Sequence, residues 1–271
     1  MHSWVDGQEA SALNLQNRGL AYGDGVFETI AVRDGRPSLL SLHLDRLALG
    51  CRRLAIDADQ ALIHDELLRY AARLRDGVAK LIVTRGDSQR GYAPASGAPA
   101  RRILQGSPLP AYPQANATDG VRLFPCQTRL AQQPLLAGLK HLNRLEQVLA
   151  RAEWQDSSYA EGLMRDTDGR VIEGVYSNLF LLKGGTLLTA DLSRCGVAGV
   201  MRDALLAQAP ALGLDVQVRD LGLDDLQQAD EVFVCNSVYG VWPVREFAAS
   251  NWPAGPVTRK LQAVARTLLD T

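Results

Sequence analysis

A scarce lysine, a carboxylate at a strand end, an arginine on a helix and a glycine-led helix start are the groups in this chain whose types could do chemistry together. Only four lysines occur, Lys80, Lys140, Lys183 and Lys260. Lys140 stands in Leu139-Lys140-His141-Leu142-Asn143-Arg144-Leu145, at the entrance of a helix expected from about His141 to Trp154 with Leu142, Leu145, Leu149 and Ala152 as its buried stripe. In apolar surroundings an ammonium loses solvation, its pKa falls, and the amine becomes a nucleophile or base. The same residue also fits a solvated lysine on a helix end. Glu173 closes the strand Arg170-Val171-Ile172-Glu173-Gly174. Facing inward it would need a cation, whereas at a hairpin edge it would meet water.

Gly199-Val200-Met201-Arg202 opens a helix after the loop Cys195-Gly196-Val197-Ala198-Gly199. Free N–H groups and the helix dipole suit such a start to a phosphate, though glycine is also an ordinary way into a helix. Arg46 could reach a phosphate from the first half of the chain, or lie on the surface. Asn236-Ser237, just past a strong strand, offers an amide and a hydroxyl, or simple turn chemistry. Taken together, an amine, a carboxylate, an arginine and an anion-binding helix start are the parts that hold pyridoxal 5'-phosphate. The lysine forms the Schiff base, the carboxylate keeps the pyridine nitrogen protonated, and backbone N–H groups take the phosphate.

The elements that must position these groups follow from periodicity. Leu40, Leu44, Leu47, Cys51 and Leu54 predict a helix over 41–55, with His43, Arg46 and Arg53 off its apolar stripe. Ile63, Leu67, Tyr70 and Leu74 predict a second over 60–75. Lys80–Thr84 and Arg102–Leu104 read as strands, separated by a long Gly/Pro-rich loop from Arg85 to Pro99, of a kind that is often functional. Pro108-Leu109-Pro110-Ala111-Tyr112-Pro113 resists helix and central strand and reads as a linker. Beyond it, a strand is expected over Val121–Cys126. Hairpins turn at Asp166–Gly169 and Lys183–Gly185, a helix covers Val200–Gln208, a strand Glu231–Cys235 and a last helix Val257–Leu269. The order is α+β in two sub-domains.

Composition limits the function classes. The chain has 271 residues, 46% of them hydrophobic and 22% charged, enough to bury a core. Its formal net charge of −1 gives no global attraction to nucleic acid or an anionic membrane. No stretch is apolar enough to span a bilayer and the start lacks a signal-peptide pattern. Cys51, Cys126, Cys195 and Cys235 are dispersed, and with four histidines no zinc-ligand cluster emerges. A reduced, cytoplasmic protein without a metal is the expectation.

The chain resembles the fold-type IV pyridoxal-phosphate enzymes, the branched-chain and D-amino acid aminotransferase-like group, and within them most closely the aminodeoxychorismate lyases. Arg18-Gly19-Leu20-Ala21-Tyr22-Gly23-Asp24-Gly25-Val26-Phe27-Glu28-Thr29 matches the family's N-terminal glycine motif. His43-Leu44-Asp45-Arg46-Leu47 matches its phosphate-arginine helix, and Gly138 to Val148 resembles the lysine segment of the lyases. Glu173 with Asn178-Leu179-Phe180, then Gly199–Arg202, then Asp230 through Asn236, complete the order.

The resemblance implies a smaller α/β sub-domain at 1–108, a linker at 109–114 and a larger pseudo-barrel at 115–271 that carries the lysine, with the cofactor between the two and a homodimer as the assembly. It implies that Lys140 carries the aldimine, that Glu173 faces the pyridine nitrogen, and that Arg46, Asn178, Gly199, Val200, Met201, Asn236 and Ser237 hold the cofactor. One departure is Met201, where related aminotransferases commonly place a threonine whose hydroxyl binds phosphate. The implied reaction converts 4-amino-4-deoxychorismate to 4-aminobenzoate and pyruvate, for folate biosynthesis. Proton abstraction from the external aldimine by Lys140 is followed by β-elimination. Thr29, Arg90 and Tyr92 are the expected substrate partners, with Arg101 or Arg102 in reserve. The rival reading is a D-amino acid or branched-chain aminotransferase. A cofactor-carrying protein without catalysis is a third.

Overall fold

Alternation along Gly25–Arg33 gives the first sheet two unlike faces. Val26, Glu28, Ile30 and Val32 are buried, while Phe27 and Thr29 between them are half-buried. The computed structural model describes residues 2–94 and 97–270; Ala95 and Ser96, in the long loop, lie outside the described residues. Six strands form this sheet: β1 (Ser3–Val5), β2 (Gln8–Glu9), β3 (Gly25–Arg33), β4 (Arg36–Pro37), β5 (Gly77–Thr84) and β6 (Arg101–Ser107). They pair antiparallel in the order β2-β1-β6-β5-β3-β4.

A short helix, α1 (Arg18–Tyr22), precedes β3, and α2 (Leu40–Arg53) and α3 (Gln60–Leu74) follow β4. α3 starts where Asp59 accepts a hydrogen bond from the Leu62 N–H at 3.0 Å, an N-cap. Ile30, Leu47, Ile63, Leu67, Leu81 and Leu104 make a dry core between helices and sheet, each such side chain contributing about 1.5–3 kcal/mol.

The buried face of α2 differs from the expected stripe. His43 is fully buried and Arg46 nearly so, while Leu44 and Leu54 only pack against the core from its margin. The cause lies in the opposing strand. Glu28 points into that interface, and a carboxylate there must be matched by cations and donors.

The second set of strands is β7 (Val121–Leu130), β8 (Tyr159–Asp166), β9 (Val171–Gly174), β10 (Asn178–Lys183), β11 (Thr186–Ala190), β12 (Asp215–Arg219), β13 (Glu231–Asn236), β14 (Gly240–Phe247) and β15 (Ser250–Asn251). Pairing runs β12-β11-β10-β13-β14-β7-β8-β9, and β9 pairs back onto β10. β10, β13, β14, β7, β8 and β9 therefore close into a barrel, which leaves no edge within the ring. Leu123, Leu163, Met164, Leu179, Val232 and Val244 are in its core. Helices α4 (Ala115–Thr118), α5 (Leu145–Ala152), α6 (Val200–Gln208), α7 (Leu223–Gln227) and α8 (Pro256–Asp270) complete the chain. Among the described residues no helix is long and apolar enough to cross a membrane, and all four cysteines are free and buried.

Residues divide into two compact units, Met1–Pro110 with Leu139–Asn143 and Asp270–Thr271, and Ala111–Gly138 with Arg144–Leu269. The expected division assigned the lysine segment to the second sub-domain; residues Leu139–Asn143 group with the first unit. The expected helix over 141–154 is also shorter, since α5 begins only at Leu145. Residues before it are extended, because backbone partners outcompete the helix. The Phe27 N–H donates to the Lys140 carbonyl at 2.9 Å, and the Leu142 N–H to the Gly25 carbonyl at 3.0 Å. The expected stripe fails with it, as Leu145 and Leu149 are 69% and 54% exposed.

Candidate active site

In the first unit, Lys140 lies on an extended segment that continues the sheet at β3, opposite Phe27, with Val26 and His141 as the bridging pair. Residues directly opposite share a face, and the Lys140 Nζ sits 4.5 Å from the centroid of the Phe27 ring. Thr29 is two residues further along the same face, opposite Lys80, whose Nζ is 5.3 Å from the same ring. Lys140 is thus a half-buried amine on an extended segment bonded to β3, not a residue at a helix entrance.

The other face carries a buried ionic group. Glu28 Oε1 receives the Arg46 Nε–H at 2.8 Å, while Oε2 receives an Arg46 terminal N–H at 2.5 Å and lies 2.6 Å from His43 Nδ1. Burial would raise the Glu28 pKa, but the Arg46 charge and these hydrogen bonds bring it down to about 2. Burial depresses the His43 pKa, opposed by Glu28 and assisted by Arg46 and Lys140. His43 Nδ1 faces the Glu28 carboxylate, and its buried Nε2 has no hydrogen-bond partner. Arg46, expected at a phosphate, is oriented by Glu28 first. Neither Glu28 nor His43 emerged from sequence reasoning, although a glutamate at the core parity of an apolar strand was the available signal.

The long loop is pinned from below. Arg18 donates to Asp24, Ser88 Oγ and the carbonyls of Gly91 and Tyr92 at 2.8–3.1 Å, and the Tyr92 ring packs on Tyr22 with centroids 5.5 Å apart. Tyr92 is 86% exposed and Arg90 is exposed. Among the described residues neither forms a hydrogen bond, ion pair or ring contact with Lys140. The reserve arginines are committed elsewhere, Arg101 to Asp6 and Asp87, and Arg102 to Glu66.

In the second unit, Glu173, Asn178, Val197 and Gly199 come together. Glu173 is buried at the end of β9 and accepts the Val197 N–H at 2.8 Å. Asn178, its Cα partner at the start of β10, donates its amide to the Val197 carbonyl at 2.9 Å. Both polar groups of one loop residue are so fixed by the two side chains. Gly138 holds the same loop from the other side, its φ of +79° requiring glycine, with its N–H on the Gly196 carbonyl and its carbonyl on the Ala198 N–H. Gly199 caps α6 with no side-chain hydrogen bond to the first turn, so backbone N–H groups there are left for an anion. A Cβ at Gly199 would come within 1.9 Å of Asn178 Oδ1, so a larger residue there would push the Asn178 side chain aside.

Val200 and Met201 bury their side chains, leaving only backbone to present at the helix start. Burial lowers the Arg144 pKa while Glu173 and Glu146 oppose the shift. Asn236 Oδ1 accepts the Val238 and Tyr239 N–H groups, and its amide donates to the Tyr176 carbonyl. Ser237 follows in that turn, half-buried.

A sheet-borne lysine in one unit, with a buried carboxylate beside a glycine-led helix start in a closed barrel, defines a known class of protein. Residues 25–247 match the amino-transferase class IV family, and the chain belongs to it. It is 38% identical over 269 residues to aminodeoxychorismate lyase of Vibrio harveyi, covering 97% of this chain and 99% of that one. The crystal structure of 4-amino-4-deoxychorismate lyase from Pseudomonas aeruginosa superposes with a TM-score of 0.97 at 60% identity, covering 99% and 100%. A branched-chain amino acid aminotransferase from Escherichia coli shares the fold at a TM-score of 0.85 and 26% identity, covering 99% and 94%.

Proposed function

We propose that this chain is a pyridoxal-phosphate-dependent lyase that converts 4-amino-4-deoxychorismate to 4-aminobenzoate and pyruvate. The observation that carries the cofactor is the second unit's cradle, where an uncapped, glycine-led start of α6 stands beside a buried carboxylate anchored through Val197. A phosphate and a protonated ring nitrogen fit those two features. Near full-length similarity to lyases favours elimination over transamination. Pyridoxal phosphate, when bound, supplies an electron sink for the charge left as a proton leaves the substrate carbon.

Each residue then has a task. Lys140 Nζ is the amine that would hold the cofactor's aldehyde and, once free, the base that would take the proton from the amine-bearing ring carbon. The C–O bond on the adjacent carbon would then break as the ring aromatises, its electron pair leaving on the enolpyruvyl oxygen, and protonation of that enolate at its methylene carbon gives pyruvate. Glu173 holds the proton at the pyridine nitrogen. Arg46 and the N–H groups of Val200 and Met201 bind phosphate, Met201 by its backbone alone. Asn178 keeps the Val197 loop in place, and Ser237 adds a hydroxyl. Thr29, Arg90 and Tyr92 meet the substrate carboxylates.

A homodimer in the cytoplasm completes the reading. Leu135, Leu145, Val148 and Leu149 are exposed apolar side chains of the kind a second copy covers. Sedimentation of the purified protein as a monomer would remove that part.

Assay with enzymatically generated 4-amino-4-deoxychorismate tests the whole, with 4-aminobenzoate and pyruvate in equal amounts as the expected products. Conversion of the bound cofactor to its amine form by an amino acid alone, with release of a keto acid, would instead make the protein an aminotransferase.

A further inference from the structure

Glu161 is a fully buried carboxylate that no step above uses. It lies on β8, and its side chain reaches the turn Gly174-Val175-Tyr176-Ser177 that joins β9 to β10. Oε1 accepts the Gly162 N–H at 2.8 Å and the Val175 N–H at 2.9 Å. Oε2 accepts the Ser177 hydroxyl at 2.7 Å and the Tyr176 N–H at 3.3 Å. Backbone donors in a buried turn must find acceptors; Glu161 takes the Tyr176 N–H and shares the Val175 N–H with the Gly162 carbonyl, which lies at 3.1 Å. There is no room for slack, since a Cβ at Gly174 would meet Ser177 Oγ at 2.2 Å and Glu161 Cδ at 2.8 Å.

The turn matters because of what it connects. Glu173 precedes it and Asn178 follows it, and the two are Cα partners that grip Val197 from both sides. We propose that Glu161 is a positioning residue, holding the turn in the one shape that sets the Glu173 carboxylate against Asn178 and the Val197 loop. The proposal rests on the reading of Glu173 as the partner of the pyridine nitrogen.

All four neighbours donate, which suits an acceptor-only carboxylate, whereas a carboxylic acid would set its own proton against a donor. Burial opposes this and pushes the Glu161 pKa up to about 7. Glu161→Gln tests the role with little change in size. Its amide has one oxygen, so the Ser177 hydroxyl can turn to accept but the Tyr176 N–H loses its partner.

The experiment compares E161Q and E173Q with the parent protein in three readouts: cofactor affinity on reconstitution of the apoprotein, the visible absorption band, and apoprotein Tm. For E161Q the expected result is a cofactor affinity lowered about tenfold, the scale of one lost buried hydrogen bond. Its band should be displaced in the same direction as that of E173Q. The kcat should fall while KM for the substrate stays near the parent value. Parental affinity and band in E161Q overturn the proposal, as does a lowered Tm with both unchanged, which marks a purely structural role. Should E161Q fail to fold, Ser177→Ala removes one donor to the same carboxylate and is read identically. Parental affinity and band in E173Q would instead sink the premise about Glu173, and the proposal with it, an outcome separate from failure at Glu161.

Discussion

Phe27 and Lys140 meet twice, once through the backbone and once through the side chains. The Phe27 N–H holds the Lys140 carbonyl at 2.9 Å, and the Lys140 Nζ stands 4.5 Å from the Phe27 ring. A flexible side chain is thus carried on a ladder-bonded backbone and steered by a ring, which is how a sheet can hold a nucleophile more rigidly than a loop. Lys140→Ala should leave the fold intact, because its anchoring bonds are backbone bonds. It should abolish both the visible absorbance of the reconstituted protein and turnover. Retention of either would remove Lys140 from its assigned role.

Gly199→Ala isolates the helix start. Gly199 has φ −74° and ψ 137°, which alanine adopts without strain, so the penalty is steric. The added Cβ would collide with Asn178 Oδ1 and force that amide off the Val197 carbonyl. Cofactor affinity should fall by tenfold or more, on the order of 1.4 kcal/mol, in a reconstitution titration. Parental affinity would show that Asn178 is not needed to hold the loop.

Glu28→Gln tests the buried ionic group under β3. It removes the negative partner of Arg46 and leaves a buried guanidinium less well compensated, so unfolding stability should drop by about 3 kcal/mol in denaturant titration. A loss under about 0.5 kcal/mol would mean that Arg46 does not depend on Glu28.

The same group sets a pH dependence. Glu28 has a folded pKa of about 2 against an ordinary 4.5, so its contribution is complete above pH 4.5 and is lost as pH falls towards 2. His43, depressed from an ordinary 6.5, acts in the same direction, its contribution declining as pH falls below 6.5. The parent protein should lose stability steadily from about pH 6 downward, and E28Q less steeply below pH 4.5. Parallel curves below pH 4.5 would exclude Glu28 as the source.

Arg18→Ala addresses the long loop. The buried guanidinium ties Gly91 and Tyr92 carbonyls and Ser88 to Asp24, and charge-assisted bonds of this kind are about twice as strong as neutral ones. Without them the loop should open, and limited proteolysis near Arg90 should quicken by tenfold or more. Unchanged cleavage would show that packing of Tyr92 on Tyr22 is sufficient.

The amino-acid sequence by itself determined a good deal here. Periodicity located α3, α6, α8 and both barrel hairpins closely, because these elements bury one face along contiguous residues and propensity agrees with packing. It also singled out Lys140, Glu173 and the start at Gly199, since scarcity, a strand end and a glycine before a helix are local signals. What depended on distant partners was invisible. Lys140 lies in an extended segment rather than at a helix because β3 supplies backbone partners to Leu142 and Lys140 across more than a hundred residues of chain. His43 and Arg46 are drawn off the surface of α2 by a carboxylate on another element. Asn236 accepts two N–H groups of its own turn, while Glu161, unremarked in sequence, accepts from the turn between Glu173 and Asn178. Local patterns report where a chain buries apolar area; a buried charge is placed by whichever donors the tertiary structure brings to it, and only the folded chain says which those are.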